Sequence, residues 1–132
     1  MGERAHIYIT NDPATGDDPT RGIYFHTHWS GAEWPEILRQ ALKFGESRWD
    51  DEAQLVRILA SRMFKDIEDQ TGGGGISVTL GESQWPITIV NLSGQQIHWV
   101  SDDGDETHPA KWSEGISFAD FVALQYASYW FS

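Results

Sequence analysis

The 132-residue sequence contains no cysteine. Disulfide bonds, thiolate metal sites and cysteine nucleophiles are therefore excluded, and a reducing compartment fits this composition. No apolar run approaches the roughly 20 residues that a membrane-spanning helix needs. Residues 1–6 lack a basic segment followed by an apolar one, so we expect no secretory signal. These absences predict a cytoplasmic protein that does not enter a membrane.

Cations are also scarce. The sequence contains nine Lys and Arg and 20 Asp and Glu, which gives a formal net charge of −11. A field of this sign repels phosphate backbones and anionic membrane surfaces, so direct nucleic-acid binding is disfavoured. The same field suits a basic protein partner, or an inhibitor that imitates nucleic acid towards a DNA-binding protein. The acids for that second role lie in two loops, residues 12–18 and 102–106.

The length suits a single domain, residues 1–132. Apolar and polar residues alternate along five segments, which predicts five strands at residues 4–10, 21–29, 76–80, 85–92 and 95–100. Apolar residues at helical spacing predict three helices, two between the second and third strands and one at the end. The order is therefore ββααβββα. We predict an α+β fold whose helices lie largely on one face of a mainly antiparallel, five-stranded sheet.

Local signals place the ends of these helices and one tight turn. Ser30 with Glu33, and Ser117 with Asp120, have the spacing of helix caps. Asp50 or Asp51 begins the second helix, and Gly45 ends the first one. Residues 93–94, Ser-Gly, predict a hairpin between the fourth and fifth strands.

The main functional prediction concerns the polar face of the sheet. Because successive strand residues point to opposite faces, the aliphatic positions of the first two strands can face the helices while histidines and tyrosines face away. Ser77 and Thr79 of the third strand belong to the same face. We predict a ligand-binding or interface surface made of these residues: His6, Tyr8, Tyr24, His26, His28 and His98.

The pair His26 and His28 also suggests a metal site. Two imidazoles on the same side of a strand lie about 6–7 Å apart along it, which suits two ligands of one divalent metal. A zinc site needs a third protein ligand, for which His6, His98 or an acid are candidates. The alternative is that these imidazoles are hydrogen-bonded side chains on a half-exposed sheet face and that the protein uses no cofactor.

Several short motifs resemble those of a group of small bacterial and phage proteins without an established activity. Members of this group open Gly-Asp-Arg-Ala and carry Thr-His-Trp-x-Gly near the start. This chain reads Gly-Glu-Arg-Ala at residues 2–5 and Thr-His-Trp-Ser-Gly at residues 27–31, with Glu3 in place of the usual Asp. The resemblance implies no catalytic residue. Its phage connection favours an inhibitor or a ligand-sequestering role.

These observations predict a non-enzymatic binding or interaction protein of phage or mobile-element origin. Its partner is a protein or a small nucleotide-like ligand, and it acts as an acidic mimic of nucleic acid or sequesters a nucleotide. The alternative is a metal-dependent or histidine-assisted hydrolase centred on His26 and His28. Aromatic side chains at the end of the sequence, Trp130 and Phe131, additionally predict self-association into a homo-oligomer.

Overall fold

The computed structural model describes residues 4–15, 18–27, 31–65, 74–81, 83–102 and 104–127. Within these ranges one sheet contains six strands: β1 (Ala5–Thr10), β2 (Gly22–Thr27), β3 (Gly74–Ser77), β4 (Ile87–Asn91), β5 (Gln96–Val100) and β6 (Ile116–Ser117). The strands lie in the order β3-β2-β1-β4-β5-β6. The α-helices are α1 (Trp34–Phe44), α2 (Glu52–Met63) and α3 (Phe118–Val122), and short 3-10 turns lie at Gly31–Glu33, Glu46–Arg48 and Pro109–Lys111.

The α+β class and the three helices are confirmed, but the sheet differs from the predicted one in two respects. It is mixed, because β1 pairs with β4 in parallel while the other neighbouring strands are antiparallel. It also has a sixth strand, β6, whose two residues are too few to show alternation. β3 pairs with the outer side of β2, so the chain must return to the other side of β1 before β4 begins. That return produces the parallel pair.

The helices pack against one face of the sheet, as predicted, and form the larger of two cores with it. Alternate positions of β1, β2, β4 and β5 supply the sheet's part of this core, and each fully buried aliphatic or aromatic side chain contributes about 1.5–3 kcal/mol. The buried members include Ile7, Ile9, Phe25, Val90 and Ile97 from the sheet, and Trp34, Leu38, Leu42, Leu55, Leu59, Phe118 and Phe121 from the helices.

Two of the predicted helix caps are confirmed. The Asp51 carboxylate accepts a hydrogen bond from the Gln54 backbone N–H at 3.3 Å, and Ser117 Oγ accepts one from the Asp120 N–H at 3.0 Å. Gly45 follows the last residue of α1, as predicted. Ser30 lies outside the described ranges. β3 occupies Gly74–Ser77 instead of residues 76–80.

A buried carboxylate, Glu36, ties the segment after α3 to α1. It accepts two hydrogen bonds from Arg39, at 2.8 and 2.7 Å, one from Gln40 at 2.9 Å and one from the Ala127 N–H at 2.7 Å. Burial acts to raise the pKa of Glu36, but these hydrogen bonds outweigh it and the pKa is lowered. The aromatic residues 129–131 lie outside the described ranges. Among the described helices, none is long and apolar enough to cross a membrane.

Candidate functional site

Two rows of side chains cross the sheet on the face away from the helices. Strand pairing aligns the first row, here called the tyrosine row: Ser77, Tyr24, Tyr8, Ile89 and His98. It aligns the second, the histidine row, beside it: Gly75, His26 and His6. Alternation along the strands therefore places five of the six predicted site residues on one face. The sixth, His28, lies outside the described ranges.

The tyrosine row is covered by residues 104–113, here called the covering segment. The Tyr24 hydroxyl donates a hydrogen bond to the carboxylate of Glu106, and Tyr24 and Glu106 are only 5% and 7% exposed. The Tyr8 hydroxyl lies 2.8 Å from Thr20 Oγ1, which donates in turn to the Thr107 carbonyl at 3.1 Å. Both phenols are thus buried inside a hydrogen-bonded network, away from any open surface.

The electrostatics of this network favour neutral phenols. Burial raises the pKa of Tyr24, and the hydrogen bond to Glu106 raises it further. Burial also raises the pKa of Tyr8, against the opposing effect of its hydrogen bond with Thr20. Both hydroxyls keep their protons at neutral pH, so Tyr24 acts as the donor that a buried carboxylate at Glu106 requires.

The covering segment is also fixed by bonds to itself and to the loop before β2. The Trp112 indole N–H donates to the Glu106 carbonyl at 2.8 Å, and the Thr20 N–H donates to the Thr107 carbonyl at 2.7 Å. The Asp105 carboxylate accepts from the Thr107 hydroxyl at 2.6 Å and contacts His108 Nδ1. The Thr107 hydrogen bond is the main cause of a lowered pKa at Asp105.

His98 shares the polar face but does not meet His6 or His26. Its Nδ1–H donates to the Ser113 carbonyl at 3.0 Å, its Nε2 lies 3.5 Å from the donor Asn91 Nδ2, and its ring packs 4.8 Å from that of Trp112. Burial lowers its pKa. His98 is therefore a neutral packing residue beneath the covering segment, and β4 separates it from β1.

The histidine row, by contrast, opens into a cleft of about 340 Å³. The rings of His6 and His26 lie 5.6 Å apart, tilted by 36°. The Gly81 N–H donates to His6 Nε2 at 3.3 Å. Gly75 allows the imidazole of His26 to lie against the β3 backbone, since a Cβ there would lie 2.9 Å from His26 Nε2. The cleft is lined by Arg4, His6, His26, Thr27, Ser77, Thr79 and Gly81.

The described part of this lining contains hydrogen-bond donors and no Asp or Glu. Arg4 supplies a positive charge, and Ser77 and Thr79 line the cleft beside it, with the Ser77 hydroxyl donating to the Thr79 carbonyl at 2.7 Å. Reciprocal hydrogen bonds with Gln84 fix the backbone of Arg4: its N–H donates to Gln84 Oε1 at 2.9 Å, and its carbonyl accepts from the Gln84 N–H at 2.8 Å. In a chain of net charge −11, the cleft is a place where an anion can bind.

Comparison of the chain with protein-family models, with curated proteins and with solved structures finds no match. Among the residues that the structure describes, no group of three His, Cys, Asp or Glu side chains is placed to hold a metal ion. The divalent metal at His26 and His28 stays a prediction, because its second ligand is not among them.

Sequence reasoning missed several residues that shape the site. Arg4 had a signal, since it has the same parity as His6 and Tyr8 along β1 and so belongs to the same face. Gly81 had no signal in the sequence, because a turn of the chain brings it to His6. Glu106 and Trp112 had none either, since only the folded chain shows that they cover the tyrosine row.

Proposed function

We propose that this protein is a non-enzymatic binding protein that holds a small, phosphate-bearing, nucleotide-like ligand in the cleft of His6 and His26. The observation that carries the proposal is the described lining itself: one arginine and two imidazoles beside Ser77 and Thr79, with no Asp or Glu among the described lining residues, in a chain of net charge −11.

The proposed binding mode divides the cleft by chemistry. The Arg4 guanidinium suits bidentate hydrogen bonding to a phosphate, assisted by the hydroxyl of Thr79. The imidazole of His26, which is only partly buried, offers a flat surface for the ring of the ligand, with the buried imidazole of His6 behind it. A volume of about 340 Å³ lies at the lower end of the range for small-molecule sites, so the ligand is mononucleotide-sized or smaller.

The arrangement supports binding over catalysis. A histidine acts as a general base through an available lone pair, but the Gly81 N–H already donates to Nε2 of His6. Among the lining residues that the structure describes, no acidic side chain is placed to orient an imidazole or to transfer a second proton. The hydrolase hypothesis centred on His26 and His28 remains the alternative.

The nucleic-acid mimic receives less support. A mimic needs carboxylates that face a partner, whereas Glu106 is buried against Tyr24 and Asp105 accepts hydrogen bonds from Thr107. In the other acidic loop, Asp12 accepts the Arg21 backbone N–H at 2.7 Å. These acids stabilise loops, which accounts for part of the acidic character without a partner.

Isothermal titration with inorganic phosphate and with nucleoside monophosphates tests the binding proposal. Arg4→Gln removes the charge in the cleft, and Arg57→Gln, on the exposed side of α2, removes the same charge elsewhere. A charge-assisted hydrogen bond contributes about 1.5–3 kcal/mol, so Arg4→Gln should weaken binding by about tenfold or more. Arg57→Gln should leave it unchanged. Equal losses in both variants, or no binding of any probe, would refute the proposal.

The hydrolase alternative has its own measurement. Metal analysis of the purified protein and assays of phosphoester hydrolysis should show no stoichiometric metal and no turnover. One bound zinc per chain, with a turnover that disappears in His26→Gln while the circular dichroism spectrum is retained, would replace the binding proposal by a metal-dependent reaction.

A further inference from the structure

β3 forms one edge of the sheet, and within the part of the chain that the structure describes no strand pairs with its outer side. Edge strands normally carry charges, prolines or bulges, or are very short, because an unpaired strand is a template for another chain. The opposite edge, β6, is protected by its length of two residues. The sequence from residue 71 to residue 81, which contains β3, has no charge and no proline.

Two large apolar side chains are exposed along this edge. Ile76 is 55% and Val78 is 78% exposed. Both are β-branched, which suits them to packing in a sheet. Ile76 belongs to β3, and Val78 directly follows the last residue of that strand. Ile76 pairs with Phe25 of β2 and so lies on the side of the sheet that faces the helices. The edge therefore combines an unpaired backbone with apolar side chains that a partner strand would cover.

We propose that a second copy of this chain pairs its β3 antiparallel with this one, so that two sheets join into one across a two-fold axis. When a strand pairs antiparallel with the same strand of a second copy, each backbone donates and accepts the same set of hydrogen bonds. The edge is therefore self-complementary. Ile76 and Val78 of each copy then pack against Ile76 and Val78 of the other copy.

The charge pattern selects a second copy over an extended basic peptide. Two chains of net charge −11 repel each other, and their approach requires a contact where no acids oppose one another. The uncharged stretch from residue 74 to residue 81 provides that contact. A basic peptide would need carboxylates along the edge, and this stretch contains none.

Pairing at β3 also changes the cleft. Ser77 and Thr79 line the cleft from the β3 side, so a paired strand extends that wall with Ser77 of the second copy. Two histidine clefts then lie on the same face of one continuous sheet. The pairing does not rest on the identity of the ligand, and each proposal can fail while the other stands.

The pairing of a four-residue strand buries less surface than the standard interface of about 1,200–2,000 Å², so the dimer is weak and concentration-dependent. Salt gives a specific signature. Raising the NaCl concentration from about 50 mM to about 500 mM screens the repulsion between the two acidic bodies, so the dimer fraction rises. A basic partner at this edge would instead bind less tightly in high salt.

Analytical ultracentrifugation of charge variants tests the proposal. Val78→Lys and Val78→Asp each place like charges on the paired edges, so each variant alone should be monomeric where the natural chain dimerises. An equimolar mixture of the two should recover a dimer, which only folded chains can do. The control Phe44→Lys adds the same charge at a different exposed apolar residue, 62% exposed at the end of α1, and should dimerise like the natural chain.

Four results would overturn the proposal. The first is that the natural chain is monomeric at every concentration and salt level, and the second is that the Val78 variants dimerise as well as the natural chain. The third is that their mixture fails to recover the dimer, and the fourth is that Phe44→Lys abolishes the dimer. Trp130→Ser tests the other predicted dimer contact, which the aromatic residues Trp130 and Phe131 would form. A dimer that is lost in this variant and kept in Val78→Lys places the interface at the end of the chain instead of β3.

Discussion

Replacing Tyr24 by phenylalanine tests whether the covering segment is held over the tyrosine row by one charge-assisted hydrogen bond. The change removes the hydroxyl that donates to Glu106 and leaves that carboxylate, 7% exposed, without this donor. A hydrogen bond to a charged group contributes about 1.5–3 kcal/mol, and solvent is too scarce here to replace it. Tyr24→Phe should therefore lower the free energy of unfolding by about 2–3 kcal/mol.

A double-mutant cycle with Glu106→Gln isolates the pair, measured by urea unfolding. The coupling free energy should be about 1.5–3 kcal/mol. Tyr8→Phe is the matched control, because its hydroxyl pairs with the neutral Thr20 Oγ1 and should cost only about 1 kcal/mol. The raised pKa of Tyr24 makes its contribution complete below about pH 10 and lost as the pH rises above it. A coupling below about 0.5 kcal/mol would refute the reasoning.

Two further predictions concern His98 and His26. Burial lowers the pKa of His98, so the unfolded chain takes up the proton first and the free energy of unfolding falls as the pH drops below about 6.5. His98→Gln should reduce that fall in urea titrations at pH 8 to about pH 5, and an unchanged slope would contradict the assignment. Gly75→Ala places a Cβ 2.9 Å from His26 Nε2. The imidazole resonances of His26 should shift and phosphate affinity should fall several-fold, whereas unshifted resonances would show that the ring does not pack there.

Local sequence signals predicted the parts of the fold that depend on neighbouring residues. Alternation placed His6, Tyr8, Tyr24 and His26 on one face because the side-chain period of a strand is two residues. Asp51 and Ser117 were predictable as caps because each cap involves a backbone N–H only three residues away. The hairpin after β4 is also local in sequence, since the Asn91 carboxamide oxygen accepts a hydrogen bond from the Gly94 N–H, three residues away, at 3.0 Å.

Contacts between distant residues account for what the sequence did not predict. The covering segment is held by Tyr24 with Glu106 and by Thr20 with Thr107, pairs separated by 82 and 87 residues. No pattern within one strand identifies such partners. The parallel pairing of β1 with β4 is likewise non-local, and it placed β4 between β1 and the strand of His98. The predicted histidine set was therefore divided between two environments that alternation alone could not distinguish.

That division connects the two proposals. A buried polar network is stable when every member has a partner, which the tyrosine row achieves through the covering segment, so a ligand would find no open group there. The cleft lies one row away, and Ser77 belongs to the tyrosine row, to the cleft lining and to the edge strand at once. Pairing of β3 with a second copy would therefore also act on one wall of the cleft. By thermodynamic linkage, a ligand that binds the paired form more tightly must strengthen the pairing by the same factor.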